Sequence, residues 1–408
     1  MKALLLFVFL LNPLTSIIWC IDLLFSKNNL VKKKLIEAFI LMLALLLAFI
    51  NSTKVPDNDL IHHSKWFLYA EGQGFFEYLA SVYKEPLFYA YNYFFFYISN
   101  GNISLWIITH SFFSYYIFFI AIKKFFLKLN IPIYFLVFGI ICAAFFPQLF
   151  SLSAHLMRQF LASAFFILFA VEKIFYNKNK WWLALAATLT HASSLLLVAL
   201  VYYTPLRRFK ENQFLNIILL ITLYSYQLIA NFLLDSVGEL NTVIKYILER
   251  ASTDTFFDLG SFPVFNYVMM IGMIIGAIVG INRLKSKYGT NRDEQEKSTI
   301  TNNEEILEKK TIIKDLNFFF LIMIVFSLFI LTNLNQSELS IRLFFYMFFY
   351  FPFVLPLFIA NFKESKLLCL IISLLLALYF LIRLNNGVWE YASLNELVFN
   401  SSLYYFAK

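Results

Sequence analysis

The sequence has 408 residues, of which 61% are hydrophobic and only 14% are charged, and its formal net charge is +8. This composition excludes an ordinary soluble domain and predicts an all-α, polytopic integral membrane protein with about 11–12 transmembrane helices. We attribute the positive charge to cytoplasmic loops and expect no nucleic-acid partner.

The N-terminal part of the chain alternates apolar runs with short basic segments. Residues 4–25 predict a retained first helix, and the lysines between it and the next apolar run, 35–50, place that loop in the cytoplasm. The polar segment 51–102 is then external. Its apolar stretch 86–99 is too short to cross a bilayer comfortably, so it predicts an interfacial or half-inserted helix. Further spans are predicted at 103–122, 131–150 and 159–176.

The run 181–206 is apolar but has basic residues at both ends and His191 in its middle. We expect two short helices broken near His191, which form a hairpin with both ends in the cytoplasm; one long tilted span is the alternative. Irregular backbone at membrane depth is tolerated only where protein or a wet cavity surrounds it. The broken form therefore predicts a cavity at His191, and the tilted form predicts it less strongly.

The C-terminal part contains two long polar segments. Residues 235–262 are predicted to be external, and the strongly charged run 282–315 predicts a disordered cytoplasmic loop. We find no soluble domain and no internal repeat, so residues 1–408 are predicted to form a single polytopic membrane domain. Most of the 33 lysines and arginines fall in its cytoplasmic segments, as the positive-inside rule expects. The remaining spans are predicted at 214–234, 263–281, 316–334, 343–360 and 367–384.

Arg158, His191 and Arg342 are the main candidates for chemistry. Ionisable groups at membrane depth are costly and are usually functional. Arg158 comes directly before an apolar run, and its planar guanidinium could bind phosphate at an external helix start. His191 could take a proton from an attacking hydroxyl. For the two arginines the alternative is a side chain that snorkels to the interface, and for His191 it is a histidine satisfied by a neighbouring helix.

External carboxylates form a second group of candidates. Glu85, Asp57 and Asp59 could orient a sugar hydroxyl or assist a base, although a solvated loop is the favoured explanation for each of them. His155 lies one helical turn before Arg158 and could support it. The sequence contains no P-loop, GxGxxG, CxxC or HExxH motif, so we expect no cofactor and no metal site.

Three segments carry a resemblance to a known family. The run HLMRQFLASAFFILFAVEKIFYNKNKWWLALAATLTHASSLLLVALVYY resembles the EpsG family of Wzy-type polysaccharide polymerases, in which an Arg-Gln pair opens one helix and a later helix carries FHxSA. Here the pair is Arg158-Gln159. The second motif is Thr190-His191-Ala192-Ser193-Ser194, in which Thr190 replaces the aromatic residue and Ser194 replaces the alanine. The early external segment with Asp57-Asn58-Asp59 and Glu85-Pro86, and ELSIRLFFYMFFYFPFVLP around Arg342, are also similar to the family's segments.

The resemblance implies a glycosyltransferase of the bacterial inner membrane with its active site facing the periplasm. Such an enzyme would join undecaprenyl-pyrophosphate-linked oligosaccharide repeat units into the O-antigen of lipopolysaccharide, into capsule or into exopolysaccharide. Its partners would be this substrate, membrane lipid and a candidate chain-length regulator. Arg158 and Arg342 would stabilise the pyrophosphate leaving group, and His191 would accept the proton of the sugar hydroxyl. Gln159, Glu85, Asp57 and Asp59 would contribute to substrate binding.

Two other functions fit similar residues. An O-antigen ligase, or another glycosyltransferase acting on polyprenyl-linked sugars, would use the same arginine and histidine chemistry with another acceptor. A flippase or transporter for lipid-linked glycans predicts internal repeats and ionisable residues along a central path. We find no repeat, and the candidate residues concentrate on the predicted external side, which favours a transferase.

Overall fold

A computed structural model of the protein describes residues 2–26, 29–82, 85–236, 263–289, 301–334, 337–385 and 400–407. Over these residues the chain is helical and has no strand, which confirms the all-α class. The chain divides into two compact units. The first contains Met1–Ser194 and Phe351–Lys408, and the second contains Leu195–Tyr350.

The helices before the boundary at Ser194 are short or interrupted more often than the apolar pattern predicts. Proline opens three of them, because a residue without a backbone N–H and with a fixed φ is tolerated only in the first turn. In chain order they are α1 (Lys2–Leu11), α2 (Pro13–Ser26), α3 (Asn29–Ser52), α4 (Asn58–Leu68), α5 (Phe75–Val82), α6 (Pro86–Ser99), α7 (Ile103–Lys128), α8 (Ile133–Phe145), α9 (Pro147–His155), α10 (Met157–Phe175) and α11 (Trp181–Thr190).

The remaining described helices continue from Ser194 to the C-terminus. They are α12 (Ser194–Tyr202), α13 (Thr204–Arg207), α14 (Gln213–Tyr224), α15 (Tyr226–Ser236), α16 (Val264–Gly289), α17 (Thr301–Leu331), α18 (Ser337–Phe348), α19 (Phe351–Ile359), α20 (Ser365–Asn385) and α21 (Ser402–Ala407).

The polytopic membrane class is confirmed by the length and apolar character of these helices. Among the described residues five helices are long and apolar enough to cross a membrane: Leu35–Ser52, Ile103–Lys128, Val264–Ser286, Lys310–Leu331 and Ser365–Leu384. The number rises to eight if each bent pair of neighbouring helices is one span, as for α8 and α9, which meet at 54°. It stays below the 11–12 helices predicted from the sequence because several apolar runs are broken into short helices.

Aromatic side chains fill the core of the first unit. Helix α7 packs along α3 and α10, and α8 packs against α19 and α20. The Phe125 ring lies 5.1 Å from Phe175 and 4.8 Å from Phe353, which ties α7 to α10 and α19. Edge-to-face contacts of this kind add to the burial of apolar surface.

In the second unit, helix α17 packs against α13, α16 and α18. Arg207 of α13 forms an ion pair with Asp315 of α17, which is buried. The Tyr226 ring lies 5.1 Å from Phe329.

Two sequence predictions about the chain's course need correction. The predicted single helix over 4–25 is two helices that pack on each other. Pro13 has no N–H with which to continue the hydrogen bonds of the first helix. Asn12 caps the second helix, because its side-chain oxygen accepts a hydrogen bond from the N–H of Thr15 at 2.9 Å. The predicted disorder over 282–315 is wrong where α16 continues to Gly289 and α17 begins at Thr301. Residues 290–300, and 237–262 of the predicted external segment, lie outside the described residues.

The predicted break in the run 181–206 is confirmed. Helix α11 ends at Thr190, His191 adopts an extended conformation with φ −156° and ψ 117°, and the next helix begins at Ser194. That both ends of the run face the cytoplasm stays a prediction.

Candidate active site

Glu85 joins two residues that lie far from it in the sequence. One carboxylate oxygen, Oε2, accepts a hydrogen bond from Nη1 of Arg158, and the other, Oε1, is in hydrogen-bond contact with Nδ1 of His191. The Glu85 side chain is only 9% exposed, and those of Arg158 and His191 are 19% and 20% exposed. We call these three residues the Glu85 cluster. The solvated-loop interpretation of Glu85 is therefore wrong.

The backbone fixes Glu85 at the start of α6. Glu85 is the N-cap residue and has a left-handed conformation with φ 51° and ψ 56°, and Pro86 occupies the first helical position. A left-handed conformation costs a residue with a Cβ roughly 1–2 kcal/mol, and such strain concentrates at functional sites. The contacts with Arg158 and His191 compensate for this cost.

Arg158 is the second residue of α10, which starts after a break in the helical backbone. Leu156 separates α9 from α10 with φ −111° and ψ 53°. The first backbone N–H groups of a helix have no partner within the helix and carry partial positive charge. A guanidinium at this position therefore needs an anion, and Glu85 supplies one.

His191 is the C-cap residue of α11. Its N–H donates to the carbonyl of Ala187 at 3.0 Å, and its carbonyl accepts from the N–H and the hydroxyl of Ser194 at 3.1 and 2.9 Å. These bonds hold the backbone on both sides of the imidazole. Since α11 packs on both α6 and α10, the ends of the three helices meet at the Glu85 cluster.

The electrostatics of the cluster favour ionised Glu85. Burial alone would raise the pKa of the Glu85 carboxyl, but the hydrogen bond and charge of His191 and the charge of Arg158 outweigh it, so the pKa lies below its usual value of 4.5. The N-terminus of α6 also stabilises a carboxylate at its cap. Nδ1 of His191 faces this anion and therefore donates the hydrogen bond, so Nε2 is the ring nitrogen that points to other partners.

A buried aromatic layer supports the cluster from within the segment 51–102. Tyr89 lies one turn after Glu85 and is fully buried, and burial raises the pKa of its hydroxyl to about 12 despite the nearby Arg158 charge. The Phe88 ring lies 5.6 Å from that of His110 of α7, whose Nε2 is 3.1 Å from the carbonyl of Met157. Through His110 the layer reaches the first residue of α10, next to Arg158.

A buried polar network fixes α9. The Asn51 amide donates to the hydroxyls of Ser111 at 3.1 Å and Ser153 at 2.7 Å, and the Tyr115 hydroxyl donates to Ser153 at 3.1 Å. All four side chains are buried. Hydrogen bonds between helices have no competition from water in such surroundings, so they fix the position of α9 and hence the break before Arg158.

The other candidate carboxylates lie outside the Glu85 cluster. Asp57 pairs with Nζ of Lys54 at 2.8 Å and with Nδ1 of His155 at 3.5 Å. His155 ends α9, three residues before Arg158, as the sequence suggested. Asp59 lies in the first turn of α4 and is half-buried.

Gln159 and Arg342 also lie outside the Glu85 cluster. Gln159 is buried in α10, with 5% of the residue exposed. Arg342 is exposed on α18 in the second unit. The proposed substrate-binding roles of Gln159, Arg342, Asp57 and Asp59 stay predictions.

Sequence reasoning missed the supporting residues of this site. Lys54 precedes Asp57 by three residues in the link between α3 and α4, and Tyr89 follows Glu85 by four residues in α6, so their closeness in the sequence was the available signal. His110 gave no signal except its place in an apolar run. Among the described residues no group of three or more His, Cys, Asp or Glu side chains could hold a metal ion.

The arrangement is suited to proton transfer beside an anionic leaving group. Nε2 of His191 can accept a proton, Glu85 can stabilise the resulting imidazolium, and Arg158 has guanidinium N–H donors beyond the one given to Glu85. No nucleophilic side chain is needed for such chemistry.

The chain matches the family model described as the EpsG family over residues 37–393, which is nearly its whole length. The match includes all three residues of the Glu85 cluster. No curated protein and no solved structure is similar enough to the chain to match it. The chain belongs to the EpsG family, which is the Wzy-type polymerase-like family.

Proposed function

Starting from membership of the EpsG family, we propose that the protein polymerises polyprenyl-pyrophosphate-linked oligosaccharide repeat units at the outer face of a bacterial inner membrane. The observation that carries the proposal is the bridge that Glu85 makes between Arg158 and His191. The bridge joins a phosphate-binding cation to a candidate base, and both groups are only partly exposed. The product would be O-antigen, capsule or exopolysaccharide.

In the proposed step, a hydroxyl on the incoming lipid-linked unit attacks the anomeric carbon of the growing chain. The new glycosidic C–O bond forms as the C–O bond to the pyrophosphate breaks, and the leaving group is undecaprenyl pyrophosphate. The hydroxyl proton passes to Nε2 of His191. General-base catalysis of this kind contributes about 10²–10⁴-fold to a rate.

Arg158 stabilises the charge that develops on the pyrophosphate. One of its terminal nitrogens contacts Glu85, and the remaining N–H donors of the guanidinium can bind phosphate oxygens through two parallel hydrogen bonds. A fixed donor aimed at a developing anion contributes about 10²–10³-fold to a rate. The partial positive charge at the start of α10 acts in the same direction.

Glu85 is a positioning residue for both groups. It holds His191 with the proton on Nδ1, and its charge stabilises the imidazolium that forms during the step. It also fixes the direction of the Arg158 side chain before substrate binds, so less ordering is needed at the moment of reaction.

The outward orientation is supported by charge distribution. Glu85 lies in the segment 51–102 that the positive-inside rule assigns to the exterior, and Lys178 and Lys180 at the other end of α10 belong to a predicted cytoplasmic loop. Helix α10 would then carry Arg158 at its external end.

The test is a gel of surface polysaccharide from the source bacterium after deletion of the gene and complementation. Wild type should restore a ladder of lengths, whereas Arg158→Ala, His191→Ala and Glu85→Gln should leave core bearing at most one repeat unit. Matched controls are Arg283→Ala and His62→Ala, which remove exposed residues of the same types outside the cluster. Membrane levels of each variant are measured by immunoblot.

The same gel distinguishes the rival functions. Single repeats still attached to core, with the ladder lost, support a polymerase. Loss of even the single repeat with accumulation of lipid-linked polymer would identify a ligase, and accumulation of repeat units on the cytoplasmic side would identify a flippase. A normal ladder from well-inserted Arg158→Ala would contradict the phosphate-binding role.

A further inference from the structure

The second unit contains a cavity of about 580 Å³ where α13, α16 and α17 meet. It is separate from the Glu85 cluster, whose residues all belong to the first unit. Neither the family match nor the proposed polymerase reaction assigns a role to this cavity.

Cations dominate the polar part of the cavity wall. Besides Arg207, which pairs with Asp315, the described cationic side chains that line it are Arg208, Lys210, Lys285, Lys310 and Lys314. Glu211 is the only acid among the described lining residues, and its carboxylate is 3.9 Å from Arg208. Among these described residues, six cations against one carboxylate favour the binding of an anion.

Most of the rest of the described wall is apolar. It is formed by Ala277, Ile278 and Ile281 of α16 and by Phe320 and Ile324 of α17. The apolar side chains belong to the interior of the candidate spans Val264–Ser286 and Lys310–Leu331, whereas Lys285 and Lys310 lie at their ends. The cationic side chains therefore lie at the membrane-surface ends of the two spans, and the apolar side chains lie further into the membrane.

The helix rise between the cationic and the apolar residues gives the distance that a ligand would have to span. Eight residues of α16 separate Lys285 from Ala277, which is about 12 Å of helix rise. On α17 fourteen residues separate Lys310 from Ile324, which is about 21 Å. A ligand with a charged end at Lys285 and Lys310 would thus place its next several carbon atoms against the apolar wall.

We propose that this cavity binds an anionic phospholipid, with its phosphate among Arg208, Lys285, Lys310 and Lys314 and the upper part of an acyl chain against α16 and α17. Basic cavities between membrane helices on the cytoplasmic side are suited to such headgroups. The segments 207–213 and 282–315 are those that the sequence assigns to the cytoplasm.

Native mass spectrometry of the full-length, delipidated protein titrated with dioleoyl phosphatidylglycerol tests the proposal. Wild type should retain one phosphatidylglycerol more tightly than phosphatidylcholine. The combined variant Lys285→Gln, Lys310→Gln and Lys314→Gln should bind it at least about tenfold more weakly, because each lysine near the membrane surface attracts an anionic lipid. The matched control is Lys178→Gln, Lys363→Gln and Lys366→Gln, three exposed lysines outside the cavity, and it should bind as wild type does.

A second variant keeps all the charges and narrows the cavity beside its apolar wall. Ile278 is 47% exposed and lines the cavity, so Ile278→Trp should also lose the lipid. Equal binding of phosphatidylcholine, equal loss in the cavity and control variants, or unchanged binding in Ile278→Trp would overturn the proposal. Displacement of the lipid by millimolar inorganic phosphate would show a plain anion site and would overturn it as well.

Discussion

Glu85 and His191 are 106 residues apart in the sequence, yet their side chains are in hydrogen-bond contact at the meeting point of two helix ends. Glu85 begins α6 and His191 ends α11, so the contact fixes the distance between these two termini. The same carboxylate holds Arg158, the second residue of α10. A single buried anion at the start of α6 thus organises a cation and an imidazole that belong to two other helices.

The guanidinium fork of Arg158, rather than its charge alone, should determine catalysis. Arg158→Ala should lower the rate by about 10³-fold or more, because both the donor to the leaving group and the partner of Glu85 are lost. Arg158→Lys keeps the charge but cannot bind phosphate through two parallel bonds, so we expect an intermediate loss of about 10–10²-fold. The measurement is polymer formation by purified protein in vesicles supplied with lipid-linked repeat units.

Arg283→Ala serves as the control in that assay, since this exposed arginine lies outside the Glu85 cluster. A wild-type rate in Arg158→Lys would show that only charge is used at this position.

The Glu85 cluster should also make stability depend on pH. The pKa of Glu85 is lowered in the folded protein, so its stabilising contribution is fully present above the ordinary glutamate value of 4.5 and is lost as pH falls through the lowered value. Glu85→Gln should therefore lower the free energy of unfolding by about 2–4 kcal/mol at pH 7, and by less as pH falls below 4.5. Tm in detergent, measured from pH 7 down to the acid limit of solubility, tests this.

Glu71→Gln is the matched control for the pH series, because Glu71 is exposed in the same part of the chain. It should follow wild type at every pH. Parallel loss of Tm in wild type and Glu85→Gln on acidification would mean that the ionised bridge does not stabilise the fold.

The sequence predicted the candidate residues of the site better than their arrangement. Arg158 and His191 could be found because ionisable residues next to long apolar runs need a reason. Glu85 looked like a loop residue, since neither its burial nor its left-handed backbone leaves a local pattern. Its two partners are 73 and 106 residues away, and such pairing is set by the packing of α6, α10 and α11.

Helix breaks were predicted where the sequence gives a chemical cue and missed elsewhere. The break at His191 was expected from the basic residues on both sides of its run. The break between α8 and α9 was missed, although Pro147 marks it, because the apolar run 131–150 has the length of one span. Hydrophobicity determines that a segment enters the membrane, whereas the bend depends on packing such as the hydrogen bonds of Ser153.

A glycine in α8 should be required for close packing in the first unit. A Cβ built on Gly139 would lie 2.9 Å from the backbone carbonyl oxygen of Pro352 and 2.8 Å from the Phe126 ring. The carbonyl cannot move aside as a flexible side chain can, so Gly139→Ala should lower the free energy of unfolding by about 1–3 kcal/mol. Thermal unfolding in detergent measures this effect.

Gly272→Ala is the control for helix propensity, because a Cβ at Gly272 of α16 meets no described atom within 4 Å. It should be neutral or stabilising by up to about 1 kcal/mol. If Gly139→Ala were as stable as Gly272→Ala, α8 and α19 would not approach each other as closely as the structure shows.

Two carboxylates pair with lysines in different surroundings. Glu172 is fully buried, and its Oε1 lies 3.0 Å from Nζ of Lys124 and 2.8 Å from Nζ of Lys180. Glu37 makes a similar contact with Lys123 at 3.1 Å, but its side chain is 59% exposed. Since exposed pairs contribute little and buried carboxylates depend on their partners, Glu172→Gln should lower the free energy of unfolding by about 1–3 kcal/mol and Glu37→Gln by less than about 1 kcal/mol.

Chemical denaturation of both variants at low and high salt measures the difference. Salt should reduce the effect of Glu37→Gln and leave that of Glu172→Gln nearly unchanged, because a buried pair is screened much less. Equal costs for the two variants would show that burial does not strengthen the Glu172 contacts.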